Sequence, residues 1–206
     1  MDSGPHDPDD LLGALAAGQV PDEHAGHDHG PTADVSVRPA TPEDAPLVTA
    51  LQLRAWRARG LVTDELLAAI DTSSVTTQWH SAITDPPSSR HRVLTAVAGA
   101  DVVGFLACAP ATDVPLPDTA GDEPVEVLTL EVDTSRTREG HGSRLLAACA
   151  DLAREVGGTA LVTWAAQDDD ARTRFLSTAG FAPAGPRRVL DAAGTEVVES
   201  CWFAQI

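Results

Sequence analysis

The 206-residue chain carries 31 acidic residues against 14 arginines and no lysine, for a formal net charge of −17. At 43% hydrophobic residues it can bury a globular core, but it lacks the cationic face that a nucleic-acid backbone requires. No apolar run is long enough for a membrane helix and no basic-then-apolar segment marks a signal peptide, so a cytoplasmic protein is expected.

Residues 1–33 are rich in Pro, Gly, Asp and His without periodicity and are expected to form a disordered tail. Residues 1–34 hold eight of the acids and no arginine, which leaves 23 acids against 14 arginines beyond them, net −9. Within the tail, "LLGALAAGQV" has the composition of a helix too short to stand alone. His24, His27 and His29, beside Asp22, Glu23 and Asp28, are of the ligand types that bind transition metals. Nothing preorganises them, so the segment reads as a solvated acidic linker and no metal site is assigned.

From residue 34 to 206 the pattern is that of one domain. "DVSVRPA" alternates as a strand does. "TPEDAPLVTALQLRAWRARG" opens with Thr41 and an acid three residues later, the spacing of a capping box, and Gly60 closes it. Leu47, Ala50, Leu51, Leu53 and Ala55 supply its helical apolar spacing. "TDELLAAI" and "SSVTTQWHSAI" read as short helices before the Pro86-Pro87 break. "RVLTAV" and "VVGFLACA" form a hairpin across "AGAD", and "VEVLTLEV" is a strand with acids inside an apolar run. A helix follows through Leu145, Leu146, Cys149, Leu152 and Ala153 to the Gly157-Gly158 stop. "TALVTWAA" is a strand, and "DDDARTRFLSTAG" is a helix with three acids at its positive end. "FAPAGPRRVL" and "TEVVESCWFAQI" close the chain as two strands joined through "DAAG". This order of strands and helices specifies an α+β domain with a mixed sheet. Cys108, Cys149 and Cys201 stand far apart in apolar surroundings and read as small buried hydrophobes.

The stretch "RTREGHGSRLL", Arg136 to Leu146, is where an acidic chain places arginines around two glycines at the head of a helix. A helix start leaves its first N–H groups unpaired and carries a partial positive charge. Gly140 and Gly142 allow close backbone approach, and Arg136, Arg138 and Arg144 add cationic donors. The chemistry suits a phosphate or pyrophosphate held by main-chain amides, against the alternative of a tight turn with no ligand. A Walker loop would need a lysine, and a dinucleotide fingerprint would need glycine where Leu145 stands.

With "LEVDTSRTREGHGSRLL" after a strand and "RFLSTAGF" two elements later, residues 34–203 resemble the GNAT superfamily of acetyl-CoA-dependent N-acetyltransferases. The resemblance implies a mixed, mostly antiparallel central sheet flanked by helices on both faces. It implies acetyl-CoA as donor, its pyrophosphate on the amides of Arg138, Glu139, Gly140, His141, Gly142 and Ser143. The main chain of the strand from Leu130 to Val132 would pair with the pantetheine arm and polarise the thioester carbonyl, in a splay between this strand and "TALVTWAA". The implied reaction is transfer of an acetyl or short acyl group to a primary amine by direct attack in a ternary complex. Three positions depart from the family pattern: Thr137 replaces a Gln or Arg, Asp169 an Asn, and Leu176 the tyrosine that protonates the departing thiolate. The chain has no tyrosine at all.

The amine must lose a proton, and Glu126 stands where some lysine-acetylating relatives hold a basic Glu. With regular alternation it would share a face with Leu128, Leu130 and Val132, Glu131 pointing to the other face unless a bulge reverses it. In such an apolar setting its pKa would be raised; an exposed carboxylate at the strand's end is the other reading. His141 has a suitable pKa but, between the glycines, is expected to pack against the helix. Asp133 and Glu139 read as turn acids, and Trp56, Arg57, Trp79 and His80 as acceptor-pocket candidates, with core packing preferred for both tryptophans. The acceptor is expected to be a small-molecule or peptide amine, tilted toward a cation by the acidic domain, with no nucleic acid or membrane involved. A homodimer is among the assemblies such a domain allows. The missing tyrosine, Thr137 and Asp169 motivate the alternative of a catalytically inactive acyl-CoA-binding regulatory module.

Overall fold

The computed structural model describes residues 35–60, 63–112, 114, 116, 123–192 and 195–206. The N-terminal tail, with its short apolar stretch and the cluster of His24, His27 and His29, lies outside the described residues. The elements are β1 (Val35–Pro39), α1 (Ala45–Ala58), α2 (Asp64–Ala69), α3 (Thr72–Thr84), β2 (Arg92–Ala98), β3 (Asp101–Pro110), β4 (Val125–Val132), α4 (His141–Glu155), β5 (Ala160–Ala166), α5 (Asp170–Thr178), β6 (Ala182–Ala192) and β7 (Thr195–Gln205). All seven strands join one sheet in the order β1-β2-β3-β4-β5-β7-β6. Among them β4 and β5 run parallel, and every other neighbouring pair is antiparallel. No helix among the described residues is long and apolar enough to cross a membrane.

The element order follows the sequence pattern because local signals hold at each end. α1 is entered through a 3-10 turn, Pro42–Asp44, where the Asp44 carboxylate accepts the Thr41 N–H at 2.7 Å. The same carboxylate takes two hydrogen bonds from the Arg38 guanidinium, at 2.6 and 3.0 Å, which ties the end of β1 to the helix start. Burial alone would raise the Asp44 carboxyl; the bonds from Arg38 and Thr41 outweigh it and hold the group below its ordinary range.

The apolar run of β3 is covered on both faces, which is why it does not alternate. On one face α4 sets Leu145, Leu146, Cys149 and Ala153 at helical spacing against Leu94, Leu106, Val127 and Leu130. α5 adds Leu176 to the same cluster. On the other face Val48 and Leu51 of α1 pack on Phe105, and Trp79 of α3 meets that ring edge-on at 5.3 Å. The Trp79 indole N–H is satisfied by Gln52, so the tryptophan is a core residue, as the sequence suggests. All three cysteines are free and buried.

The second cluster is small, so its central ring should matter. Phe105→Ala is expected to destabilise the domain by about 4 kcal/mol, whereas Val189→Ala on the exposed part of β6 should stay within about 0.5 kcal/mol. Denaturant midpoints of the two variants check this.

Candidate active site

Pairing between β4 and β5 is brief. It holds for Val125 with Leu161, Glu126 with Val162 and Val127 with Thr163, and the Thr163 hydroxyl closes the last rung on the Val127 carbonyl at 3.0 Å. β4 continues to Val132 without a partner on that side. The Asp133 N–H bonds to the Val103 carbonyl at 2.8 Å, so the main-chain groups of Glu131 and Asp133 turn toward β3. By alternation those of Leu130 and Val132 turn into the opening between β4 and β5, as the resemblance requires of them.

One irregularity changes which side chains accompany them. Cys108 pairs with Val127 and Ala107 with Thr129, so Leu128 is an extra residue in β4, a bulge left 58% exposed. Past it the alternation is reversed: Val127 and Leu130 enter the same core cluster, and Glu126, Thr129 and Glu131 share the opposite face. The expectation from regular alternation, that Glu126 sits with Leu130 and Val132 and opposite Glu131, is therefore overturned.

At the far end of the opening lies the glycine turn. Gly140 caps α4 with φ +81, a conformation that suits glycine, and Arg138 also adopts a positive φ of 65. Gly142 is needed for a different reason: an added Cβ there would meet the Phe175 ring at 3.3 Å and Leu130 at 3.6 Å. The first closed helical turn is Arg144 N–H to the Gly140 carbonyl, so the amides from Arg138 to Ser143 have no acceptor among the described residues. Glu139 is held by Arg136 at 2.9 Å, and Arg144 donates to its carbonyl at 2.9 Å. The His141 side chain is fully buried, facing inward with Nε2 3.2 Å from the Glu139 carboxylate.

On the other side of the opening is a cavity of about 1000 Å³. Its walls come from the end of α1 (Gln52, Trp56, Arg59), the bulged part of β4 (Leu128, Thr129, Glu131) and the β5–α5 turn (Trp164 through Arg172). The β6–β7 arm adds Arg188, Leu190 and Glu196 through Glu199. Trp56 thus lines this space, while Arg57 pairs with Asp64 at the surface and His80 is exposed on α3.

The two carboxylates of β4 are treated differently. Glu131, 7% exposed, accepts the Arg59 guanidinium at 2.5 Å and a bond from Thr129, contacts that tie the end of α1 to β4. The Glu126 side chain is 15% exposed and has no close ion pair; the nearest cation, Arg188 Nη1, is 4.0 Å away. Burial pushes its carboxyl above the ordinary range, with the Arg188 charge and the Trp164 indole N–H pulling against that rise. Glu126 does not itself line the cavity, whereas Trp164 and Arg188, which both act on its carboxyl, do.

Four residues that sequence reasoning passed over complete the site. Arg188 lies over the Trp164 ring at 4.4 Å and bonds to Glu199 at 2.7 Å. Glu199 carried the same signal as Glu126, an acid inside an apolar strand. Arg172, from the first turn of α5, donates to the Leu130 carbonyl at 2.9 Å. Of the departures noted in the sequence, Asp169 caps α5 by accepting the Arg172 N–H at 2.9 Å, and Leu176 is a buried core residue.

The sequence profile of the Acetyltransferase (GNAT) family matches residues 53–181. No curated protein sequence matches the chain. Among solved structures, yncA from Salmonella typhimurium, determined with its cofactor acetyl-CoA, superposes with a TM-score of 0.63 at 16% identity, over 84% of this chain and 94% of that one. The ribosomal-protein-alanine N-acetyltransferase of Brucella melitensis gives 0.63 at 20% identity, over 82% and 99%. The paia N-acetyltransferase of Thermoplasma acidophilum, in complex with coenzyme A, gives 0.59 at 14% identity, over 84% and 99%. The solved structures share the fold, the family profile covers more than half of the chain, and the chain belongs to the GNAT acetyltransferase family.

Proposed function

We propose that this chain transfers an acetyl or other short acyl group from acyl-CoA to a primary amine, the amine attacking directly while both are bound. The observation that carries the reading is the opening between β4 and β5. There the main-chain groups of Leu130 and Val132 face a slot that runs to a helix start with unpaired amides. An amide-containing arm ending in a pyrophosphate fits that sequence of donors and acceptors.

Acyl-CoA supplies an activated thioester; the chain supplies binding, orientation and proton transfer. The amides of Arg138 to Ser143 hold the pyrophosphate, with Arg138 free to add a charged donor. The Leu130 and Val132 main chain fixes the arm, and an N–H on this stretch stabilises the negative charge that develops on the thioester oxygen. Glu126, which does not line the cavity, takes the amine proton by way of a bridging water, and its raised pKa places it nearer the neutral range where a base is effective. With no tyrosine in the chain and Leu176 in the core, the departing thiolate takes its proton from water. The cavity supports a cationic acceptor: Asp168, Asp170 and Glu196 line it without an ion-pair partner among the described residues, and Trp56 and Trp164 offer aromatic faces.

Two measurements test the reading. Acetyl-CoA titrated calorimetrically into the protein should bind on the micromolar scale, about −8 kcal/mol. Gly142→Glu, whose side chain must enter the space against Phe175 and Leu130, should abolish that binding. No heat with the parent protein would end the acyl-CoA reading. In an amine screen for CoA release, Glu126→Gln should lower kcat roughly 10²- to 10⁴-fold while acetyl-CoA affinity stays unchanged.

A further inference from the structure

Four adjacent strands each contribute one side chain to a cluster centred on a single guanidinium. Glu126 comes from β4, Trp164 from β5, Glu199 from β7 and Arg188, which carries the guanidinium, from β6. Arg188 and Glu199 are direct cross-strand partners, and their ion pair at 2.7 Å is the short contact. The guanidinium lies over the Trp164 ring, which fixes its height above the sheet. Glu126 is left at 4.0 Å, beyond hydrogen-bond reach of a charge it still feels.

We propose that Arg188 and Glu199 are a positioning pair for Glu126: Glu199 withholds the Arg188 guanidinium from the Glu126 carboxylate, and Trp164 sets the distance at which it is held. The inference rests on the reading of Glu126 as the base. Its physical content is a compromise between two extremes. A guanidinium bonded directly to Glu126, in the way Arg59 is bonded to Glu131 a few residues along the same face, would occupy lone pairs that an incoming proton needs. With no cation nearby, nothing of opposite charge would oppose the rise that burial imposes on its carboxyl.

Among the described residues, the other groups facing Glu126 do not override this pair. β5 contributes the uncharged Trp164, and the β3 partner is Ala109. β7 contributes Glu199 and the Cys201 thiol, which burial first and the Glu126 charge second push up to about 11, so it stays neutral where the enzyme would work. The Arg188 side chain is 41% exposed and lines the cavity, as Glu199 does, whereas Glu126 does not.

The test is the pH profile of kcat/KM for CoA release with a responsive amine, in the full chain and in Arg188→Gln, Glu199→Gln and Glu126→Gln. The two pair variants should move the acid limb in opposite directions. Loss of Arg188 removes an attraction and leaves Glu199 repelling, so the limb moves to higher pH. Loss of Glu199 removes a repulsion and frees Arg188 toward Glu126, so the limb moves to lower pH. At a pH on the wild-type limb, kcat/KM as a fraction of each variant's own plateau should fall in Arg188→Gln and rise in Glu199→Gln, roughly three- to tenfold each, while the Glu199→Gln plateau itself drops as Arg188 settles onto Glu126. A pair that only braces the β6–β7 arm would lower the plateau in both variants without moving the limb, and that result overturns the proposal. Should Arg188→Gln fail to fold by thermal melt, the direction of the Glu199→Gln shift decides alone. Glu126→Gln that keeps the wild-type rate and limb would remove the base itself, a failure of the underlying reading seen apart from the other two.

Discussion

The organisation of this domain depends on one constraint: β4 must remain a strand after it has lost its neighbour. A strand inside a sheet normally satisfies its N–H and C=O groups on both sides, and leaving a row of them open is costly unless something else pairs with them. Here the pairing with β5 stops at Thr163, yet β4 is kept straight by its ladder to β3 and by Leu130 in the α4 core. α4 then starts from the end of that same strand, so one continuous stretch of chain carries the open main-chain edge and the unpaired amides. The site is built from backbone, and side chains mainly guard its geometry: glycine at 142 for clearance from Phe175, glycine at 140 for its φ.

Much of this was legible in the sequence because it is local. The glycine turn announces itself by spacing and by arginines in an acidic chain, and the caps at Thr41 and Asp169 sit at the residues where helices begin. The apolar periodicity of α4 names the residues that face the core. What was not legible depends on partners distant in the chain. The bulge at Leu128 is defined by its register against β3, between Ala107 and Cys108, and no feature within "VEVLTLEV" fixes where the extra residue falls. That single insertion decides that Glu126 and Glu131 share a face. The grouping of Trp164, Arg188 and Glu199 likewise requires the strand order β4-β5-β7-β6, which no local pattern states.

Two carboxylates on one face of one strand have been given opposite chemistry by their neighbours. Glu131 meets a guanidinium at 2.5 Å and becomes part of the framework that joins α1 to the sheet. Glu126 meets burial first and a withheld cation second, and its carboxyl rises. The residue type is the same; the distance to arginine separates a carboxylate held in an ion pair from one whose pKa burial raises.

Arg172 has a consequence of its own for the slot. Its bond to the Leu130 carbonyl means that the opening between β4 and β5 is not left with that acceptor bare. On the proposed reading, an incoming pantetheine amide that takes this carbonyl replaces one hydrogen bond by another, so the contact supplies register and adds little net affinity. Departure is eased by the same exchange: the carbonyl need not wait for water to reach it, because a tethered donor is already beside it. On the proposed reading, a slot that re-satisfies itself in this way leaves no bare acceptor behind when spent CoA departs, which favours release over retention.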